Sequence, residues 1–229
     1  MKQLLLFLLF PILLWSQSDF EKAQKLFEQK KYASAKPLFE SLLRQKPNDF
    51  KITEYLGDIA GHQKQWDVAI DYYKKLKTRF PKHADYYYKY GGAMGMKAKE
   101  VSKLQAIGMI DDIETAFETA AKLDTKHVET RWALVILYVE LPGIVGGSEA
   151  KAQQYADELL QLSKVDGYLA KGYIDVYFKR YPKAEINYKK AHEIGNSKTT
   201  FEKLYDLYLN KIKDRQKAED FKKEYQKIG

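Results

Sequence analysis

The chain of 229 residues contains no cysteine. Disulfides, thiolate nucleophiles and metal sites with cysteine ligands are therefore excluded, and so is a lipid anchor attached to a cysteine. Glycine and proline are few, with 13 and 6 residues, which excludes a collagen-like fibre and argues against extended disorder. With 45% hydrophobic and 31% charged residues, the composition is globular and allows one extended domain or two small ones.

Blocks of like charge are also absent. The formal net charge is +8, but lysines alternate with glutamates and aspartates along most of the chain. We interpret these charges as solvated helix faces and predict no nucleic-acid partner. A weak attraction to acidic envelope polymers is the alternative consequence of the positive balance.

Long apolar runs are missing as well. The apolar run Leu4–Leu14 is too short to span a bilayer, which takes about 20 residues. Lys2 precedes this run and polar residues follow it, which is the order found in secretory signal peptides. We predict a signal peptide over residues 1–16 and an exported protein, periplasmic or alternatively secreted, without stable membrane insertion afterwards. An uncleaved N-terminal anchor is the alternative.

A repeat of 34 residues runs through the first half of the chain. Residues of matching type recur at this spacing in the pairs Tyr32/Trp66, Ala35/Ala69, Phe39/Tyr73, Leu42/Leu76, Pro47/Pro81 and Gly57/Gly91. The apolar residues return at three- and four-residue steps, which predicts paired amphipathic helices, A and B. The glycines and alanines allow the two helices to approach closely, and the prolines end helix B.

This pattern resembles the tetratricopeptide repeat family, in the spacing of its aromatic, alanine and proline residues and in the Leu56-Gly57 pair of helix A. The resemblance implies an all-α fold, a right-handed superhelical solenoid of antiparallel helix pairs. We predict a repeat domain over residues 18–229, with the third and fourth units longer than the period. Its predicted units are 18–49, 50–83, 84–127, 128–164 and 165–197, followed by capping helices over 198–229.

The glycine-rich segment Leu141–Gly147 precedes a predicted helix in the fourth unit. Such loops can bind phosphate at a helix N-terminus, but a P-loop places lysine after its glycines, and here Ser148 and Glu149 follow. We interpret the segment as a lengthened turn between helices A and B. In this turn we expect positive φ at Gly146 and Gly147 and an N-cap at Ser148. Contact with a ligand at one edge of a groove is the alternative.

No catalytic constellation is visible in the sequence. The four histidines, at 62, 83, 127 and 192, lack metal-ligand spacing, and the acidic run Asp111–Glu114 lacks the pattern of a calcium loop. We interpret that run as the acidic first turn of a helix. We therefore predict no enzymatic activity, no metal and no cofactor, with dispersed catalytic residues as the alternative.

Recognition of a protein or peptide is the function that the repeats favour, because the A helices of such stacks line a groove. The family register places eight residues in this groove: Glu54, Asp58, His62, Tyr88, Trp132, Ile136, Tyr173 and Tyr177. Repeats that bind a C-terminal carboxylate carry lysine and asparagine where this chain has Glu54 and Asp58. The acidic pair therefore predicts a basic or amine-bearing partner. For each aromatic residue, a place in the core between repeats is the alternative.

These observations predict an exported repeat scaffold for protein–protein interaction. The glycine-rich joint is also similar to that of the helical-repeat component of TRAP-type solute transport systems. A periplasmic solute-binding or transport accessory protein, with a small-molecule ligand held by the lengthened units, is therefore the alternative function.

Overall fold

The computed structural model describes residues 19–228, and the regular structure in this range is entirely helical, without strands. The predicted all-α fold is thereby confirmed, whereas the predicted signal peptide lies outside the described residues. The helices of the first half are α1 (residues 19–28), α2 (Tyr32–Gln45), α3 (Phe50–His62), α4 (Trp66–Arg79), α5 (Ala84–Ala98), α6 (Lys103–Ile107) and α7 (Ile110–Leu123).

The second half continues the series of helices. They are α8 (Val128–Glu140), α9 (Glu149–Leu162), α10 (Lys164–Tyr177), α11 (Tyr181–Gly195), α12 (Lys198–Asp206) and α13 (Arg215–Ile228), with a 3₁₀ turn at Gly143–Val145 and a π-helical segment at Leu207–Ile212. The chain forms two compact units, one up to Ala116 and one from Phe117 onward, with the boundary inside α7. They are called the first unit and the second unit, and each contains several helices.

Helix A and helix B approach closely where a glycine lies under an aromatic ring. In the first unit, a Cβ atom on Gly57 of α3 would lie 2.8 Å from the Tyr73 ring of α4. In the second unit, a Cβ on Gly172 of α10 would lie 2.2 Å from the Tyr188 ring of α11. No side chain fits at either position without moving the ring, so the close approach that the sequence predicts at Gly57 is confirmed.

Buried apolar layers fill the space between successive helices. In the first unit one layer combines side chains of α1 to α3, and the next combines side chains of α3 to α5. The first consists of Ala23, Ala35, Phe39, Leu42, Ile52, Leu56 and Ile59, and the second of Ala60, Ala69, Tyr73, Leu76, Tyr86 and Ala93. In the second unit, the last layer joins α10, α11, the π-helical segment and α13 around Leu169, Tyr188, Leu207 and Ala218.

Three A helices end at a lysine with left-handed backbone conformation. The φ angles of Lys30, Lys64 and Lys179 are 58°, 57° and 58°. In each case the N–H of the following residue donates to the carbonyl group five residues earlier, as from Gln65 to Ala60 at 2.8 Å. This arrangement is the Schellman motif, in which glycine is the usual left-handed residue. Lysine therefore carries backbone strain at all three turns.

We expect Lys64→Gly to stabilise the protein by about 0.5–1 kcal/mol, because glycine relieves the left-handed strain at some cost in chain entropy. Lys74→Gly is the matched control, since Lys74 is an exposed lysine inside α4 and its replacement should destabilise by about 1 kcal/mol. Urea unfolding measures both changes. Equal destabilisation by the two substitutions would contradict the assignment of strain to Lys64.

The glycine-rich joint between α8 and α9 is a hydrogen-bonded turn. The N–H groups of Val145 and Gly147 donate to the Pro142 carbonyl at 2.9 and 3.1 Å, and the Ser148 N–H donates to the Tyr138 carbonyl at 2.9 Å. Gly146 has φ of 102°, as predicted, and the Ser148 hydroxyl accepts the Lys151 N–H at the start of α9.

The expectation of positive φ at Gly147 is wrong. Gly146 is the one glycine with positive φ among the residues that the structure describes. Glycine is required at 147 for a different reason, because a Cβ there would lie 1.8 Å from the Leu141 carbonyl oxygen. Close backbone packing, rather than left-handed conformation, excludes a side chain at this position.

The residues that lengthen the third repeat form the short helix α6. A reciprocal capping box between Ser102 and Gln105 begins this helix, and none of its side chains is buried. Helix α7 follows, with Asp111 and Asp112 in its first turn, where carboxylates meet the positive end of the helix dipole. The interpretation of this acidic run as a helix start agrees with the structure.

Candidate binding surface on the A helices

The eight residues placed in the groove by the repeat register all lie on A helices. Glu54, Asp58 and His62 follow one another at four-residue steps on α3, and therefore share one helix face. Tyr88 lies on α5 of the same unit. The second unit carries Trp132 and Ile136 on α8, and Tyr173 and Tyr177 on α10.

In the first unit the acidic pair binds a lysine of its own chain. The Lys89 ammonium on α5 lies 2.6 Å from Glu54 Oε1 and 2.8 Å from Asp58 Oδ1. The Tyr73 hydroxyl donates to Asp58 Oδ1 at 2.7 Å, and the Tyr86 hydroxyl donates to Glu54 Oε2 at 3.3 Å. One lysine and two carboxylates leave this cluster with a charge of −1, partly exposed to solvent.

The electrostatics of this cluster keep its donors protonated. Burial, together with the carboxylates of Asp58 and Glu54, raises the pKa of Tyr73 above its usual range. Burial and Glu54 raise the pKa of Tyr86 to about 12. Burial alone would lower the pKa of Lys89, but the neighbouring Asp58 and Glu54 outweigh it and the pKa is raised. All three side chains therefore donate hydrogen bonds at neutral pH.

Of the other two residues of the first unit, His62 contacts aromatic neighbours and Tyr88 is partly open to solvent. His62 is exposed and stacks on the Tyr32 ring, with 4.3 Å between ring centroids and 9° between ring planes. Phe27 meets the edge of the same histidine at 6.2 Å. Tyr88 is half-buried. His62 therefore closes one end of an aromatic cluster and presents its other face to solvent.

In the second unit the aromatic side chains bind carboxylates through their polar atoms. The Trp132 indole N–H donates to Asp166 Oδ1 at 2.8 Å, and the Tyr173 hydroxyl donates to Glu140 Oε1 at 2.9 Å. Burial and Glu140 raise the pKa of Tyr173, so its hydroxyl stays protonated. Trp132 and Tyr173 are half-buried. They contribute both to packing between the helices and to the accessible face.

The remaining two residues of the second unit complete this face. Tyr177 is 48% exposed and meets Phe178 edge to face, at 5.3 Å between ring centroids. Ile136 is half-buried on α8. With Trp132 and Tyr173 they form the surface that we call the aromatic face, defined as Trp132, Ile136, Tyr173 and Tyr177 on α8 and α10.

Three polar residues of these surfaces were missed from the sequence. Lys89 lies 31 residues after its partner Asp58, and Asp166 lies 34 residues after its partner Trp132. Glu140 lies 33 residues before its partner Tyr173. Each pair is thus separated by about one repeat, which places its members on successive A helices. A search for complementary polar residues at one repeat spacing would have found Lys89, Asp166 and Glu140.

Other charged residues of the second unit serve the fold. Arg131 is 4% exposed, and its guanidinium donates to the carbonyls of Ala121 at 3.1 Å and Asp124 at 2.6 Å, at the C-terminal end of α7. It also donates to Glu158 at 3.2 Å. The carbonyl groups that α7 leaves unpaired at its end are thereby satisfied.

Two histidines have structural partners as well. His127 is buried and begins α8, where its Nδ1 accepts the Thr130 N–H at 3.1 Å. His192 lies 3.0 Å from the Thr200 hydroxyl through Nδ1 and packs against the rings of Phe221 and Tyr225. Burial lowers the pKa of His192, although Glu224 and Glu193 partly oppose this effect.

No metal-binding group is found in the described part of the chain. Within residues 19–228, no group of His, Asp and Glu side chains could hold a metal ion. A surface depression of about 530 Å³ is lined by Ala150, Gln153, Gln154, Asp157, Glu158 and Gln161. Since all six belong to α9, it is a hollow beside one helix. In the range that the structure covers, no helix has both the length and the apolar character needed to cross a bilayer.

We expect Lys89→Met to destabilise the protein by about 1–3 kcal/mol, because two partly buried carboxylates lose their shared cation. Lys82→Met is the control, since Lys82 is exposed in the turn just before α5. Urea unfolding gives both values. Adding Glu54→Gln and Asp58→Asn to Lys89→Met should recover part of the loss. If Lys89→Met costs no more than Lys82→Met, the cluster does not stabilise the fold.

A second expectation concerns pH. The pKa of His192 is lower in the folded chain than in the unfolded one, so the unfolded chain binds the proton first as pH falls. This histidine therefore lowers the free energy of unfolding as pH falls below about 6.5. We therefore expect His192→Gln to gain stability relative to the unaltered protein as the pH falls from about 7 to about 5. The unfolding free energies of both proteins, measured across this range, give the difference. A difference that stays constant over this pH range would contradict this assignment.

Comparison with known proteins identifies the repeats. Residues 20–84 match the family model described as tetratricopeptide repeat. A thermophilic TPR protein from Thermus thermophilus is similar in structure, with a TM-score of 0.68, 17% identity, and coverage of 85% of this chain and 99% of that chain. PilW, a type IV pilus biogenesis factor, has a TM-score of 0.66 and 14% identity, with 92% of each chain covered.

A third solved structure is YrrB, described as a TPR protein with an unusual peptide-binding site. Its TM-score is 0.54 at 14% identity, and the match covers 80% of this chain and 87% of that chain. No curated protein sequence matches this chain. The predicted membership of the tetratricopeptide repeat family is supported by sequence over residues 20–84, and the structural matches show the same fold over most of the chain.

Proposed function

We propose that this tetratricopeptide repeat protein is an exported, non-catalytic scaffold that binds a protein or peptide partner on the exposed face of its A helices. The observation that carries the proposal is the aromatic face of the second unit. Rigid aromatic side chains on paired helices supply large contact areas at low entropic cost, and such residues dominate binding energy at interfaces. Tyr177, at 48% exposed, is the most open of the four.

The relatives support this proposal in general terms. YrrB is described as having a peptide-binding site, and PilW as a pilus biogenesis factor. Proteins of this fold stack helix pairs into extended surfaces that suit a peptide or a helix. The exported location follows from the signal peptide proposed for residues 1–16, and a periplasmic or secreted partner is then required.

The acidic pair of the first unit adds a condition on that partner. Because Lys89 already contacts Glu54 and Asp58, a basic group from a partner would share these carboxylates with Lys89 or displace it. The net charge of −1 still favours a cation over an anion. Reversing both acidic residues should therefore weaken binding of a basic partner, provided that the fold survives the loss of the Lys89 contacts.

The function is tested by recovering the mature protein from its own cell envelope and measuring its intact mass in the native state. A co-purifying polypeptide is expected, together with an N-terminus close to residue 17. Tyr177→Ala should weaken binding of that polypeptide by about tenfold. Ile186→Ala should leave it unchanged, since Ile186 is similarly exposed, at 55%, but lies on the B helix α11.

Two results would contradict this function. A bound small molecule in place of a polypeptide would favour the solute-binding alternative. Equal effects of Tyr177→Ala and Ile186→Ala would show that the partner does not use the aromatic face. An N-terminus at residue 1 would contradict cleavage and favour the uncleaved anchor, without bearing on the binding surface.

A further inference from the structure

Asp166 is a half-buried carboxylate that has no cationic partner in the described residues. Its Oδ1 accepts the Trp132 indole N–H at 2.8 Å, and its Oδ2 accepts the Ser163 hydroxyl at 2.6 Å. Both donors are neutral. The carboxylate is therefore held in place from two sides while its negative charge is not compensated by a lysine or arginine.

The other enclosed carboxylates of the second unit are mostly paired with a cation. This holds for Glu118, Glu149, Glu158, Asp175 and Glu185, each of which contacts a lysine or arginine. Glu219 is an exception and accepts the Tyr205 hydroxyl on the capping helices. Asp166 is thus unusual in this unit, and it alone of these carboxylates adjoins the aromatic face.

The location of Asp166 explains how an unpaired charge is tolerated there. Asp166 lies in the first turn of α10, which Ser163 caps. The positive end of the helix dipole stabilises a carboxylate at this position without any cation. A carboxylate at this position of the fold therefore needs no cation of its own chain.

The aromatic group beside Asp166 is tryptophan, whose ring face attracts cations more strongly than that of tyrosine or phenylalanine. Trp132 is half-buried and packs partly against the last core layer of the second unit. Its indole N–H is already bonded to Asp166. With its one polar side-chain atom bonded, the indole can offer a ligand only ring surface next to a carboxylate, and this combination suits a guanidinium or ammonium group rather than a hydrogen-bond acceptor.

We propose that Trp132 and Asp166 form a subsite for one arginine or lysine side chain of the bound partner. The cationic group lies on the indole face and pairs with the carboxylate, while Ile136 and Tyr177 contact apolar parts of the same segment. This inference rests on the proposed function, because it assigns the partner chemistry at one position of the aromatic face. It predicts a partner segment with a basic residue among apolar ones.

The test uses a capped, alanine-rich peptide with one central arginine, and the same peptide with citrulline in place of arginine. Citrulline keeps the shape of the side chain and removes its charge. The readout is the NMR signal of the Trp132 indole N–H, identified by its loss in Trp132→Phe. The arginine peptide should shift this signal at a concentration about fivefold lower than the citrulline peptide.

Asp166→Asn is the decisive variant. Asparagine keeps an oxygen that accepts the Trp132 N–H, so the fold and the indole signal should persist while the charge is lost. The arginine peptide should then bind no better than the citrulline peptide. Glu219→Gln is the matched control, because it removes the other unpaired enclosed carboxylate of the unit from a place outside the aromatic face, and it should leave the preference for arginine intact.

Three outcomes would overturn the subsite. The first is an equal response to the arginine and citrulline peptides. The second is a preference for arginine that survives in Asp166→Asn. The third is tighter binding of agmatine, a free guanidinium compound, than of the arginine peptide, which would indicate a small amine solute rather than a protein segment. Whether a partner polypeptide co-purifies and depends on Tyr177 is measured independently, so failure of the subsite and failure of the proposed function are read separately.

Discussion

The contact between a glycine of helix A and an aromatic ring of helix B is the constraint on which the helix pairs depend. Gly57 faces Tyr73, and Gly172 faces Tyr188, so closely that any side chain at either glycine would meet the ring. The glycine removes the bulk that would hold the two helices apart, and the ring fills the space. Burial of such large rings supplies apolar contact area to each pair.

The same contact also fixes polar groups on the surface. The Tyr73 ring packs on Gly57 while its hydroxyl donates to Asp58, the next residue along α3. Asp58 is thereby oriented toward Lys89 on the following A helix. In the second unit, Tyr173 follows Gly172 on α10 and its hydroxyl reaches Glu140 on α8. Packing between helices A and B therefore positions the side chains that connect one A helix to the next.

These connections determine what the exposed faces offer to a partner. In the first unit, Lys89 compensates half of the charge of Glu54 and Asp58, which reduces the attraction that the acidic pair alone would exert. In the second unit, the polar atoms of Trp132 and Tyr173 are already bonded to carboxylates, so these half-buried residues can offer a partner mainly ring surface. One unit thus presents a partly neutralised acidic cluster, whereas the other presents aromatic surface beside the unpaired carboxylate of Asp166.

The sequence by itself determined the helical fold and much of its local detail. The spacing of Gly57, Tyr73 and the prolines specifies paired helices, because close approach and helix termination depend on the residue type at single positions. Ser148 was recognisable as an N-cap and Gly146 as a left-handed residue for the same local reason. The repeat register also assigned Glu54 and Trp132 to A helices, and they lie on α3 and α8.

Only the tertiary structure decided which of these residues have partners. Lys89 and Asp166 are separated from their partners by about one repeat, and whether two side chains meet across that distance depends on helix packing and rotamers. The requirement for glycine at 147 likewise comes from the approach of the Leu141 carbonyl and not from local chain preference. Repeat spacing fixes the helix and the face of each residue, whereas contacts between neighbouring helices fix its charge balance and its exposure.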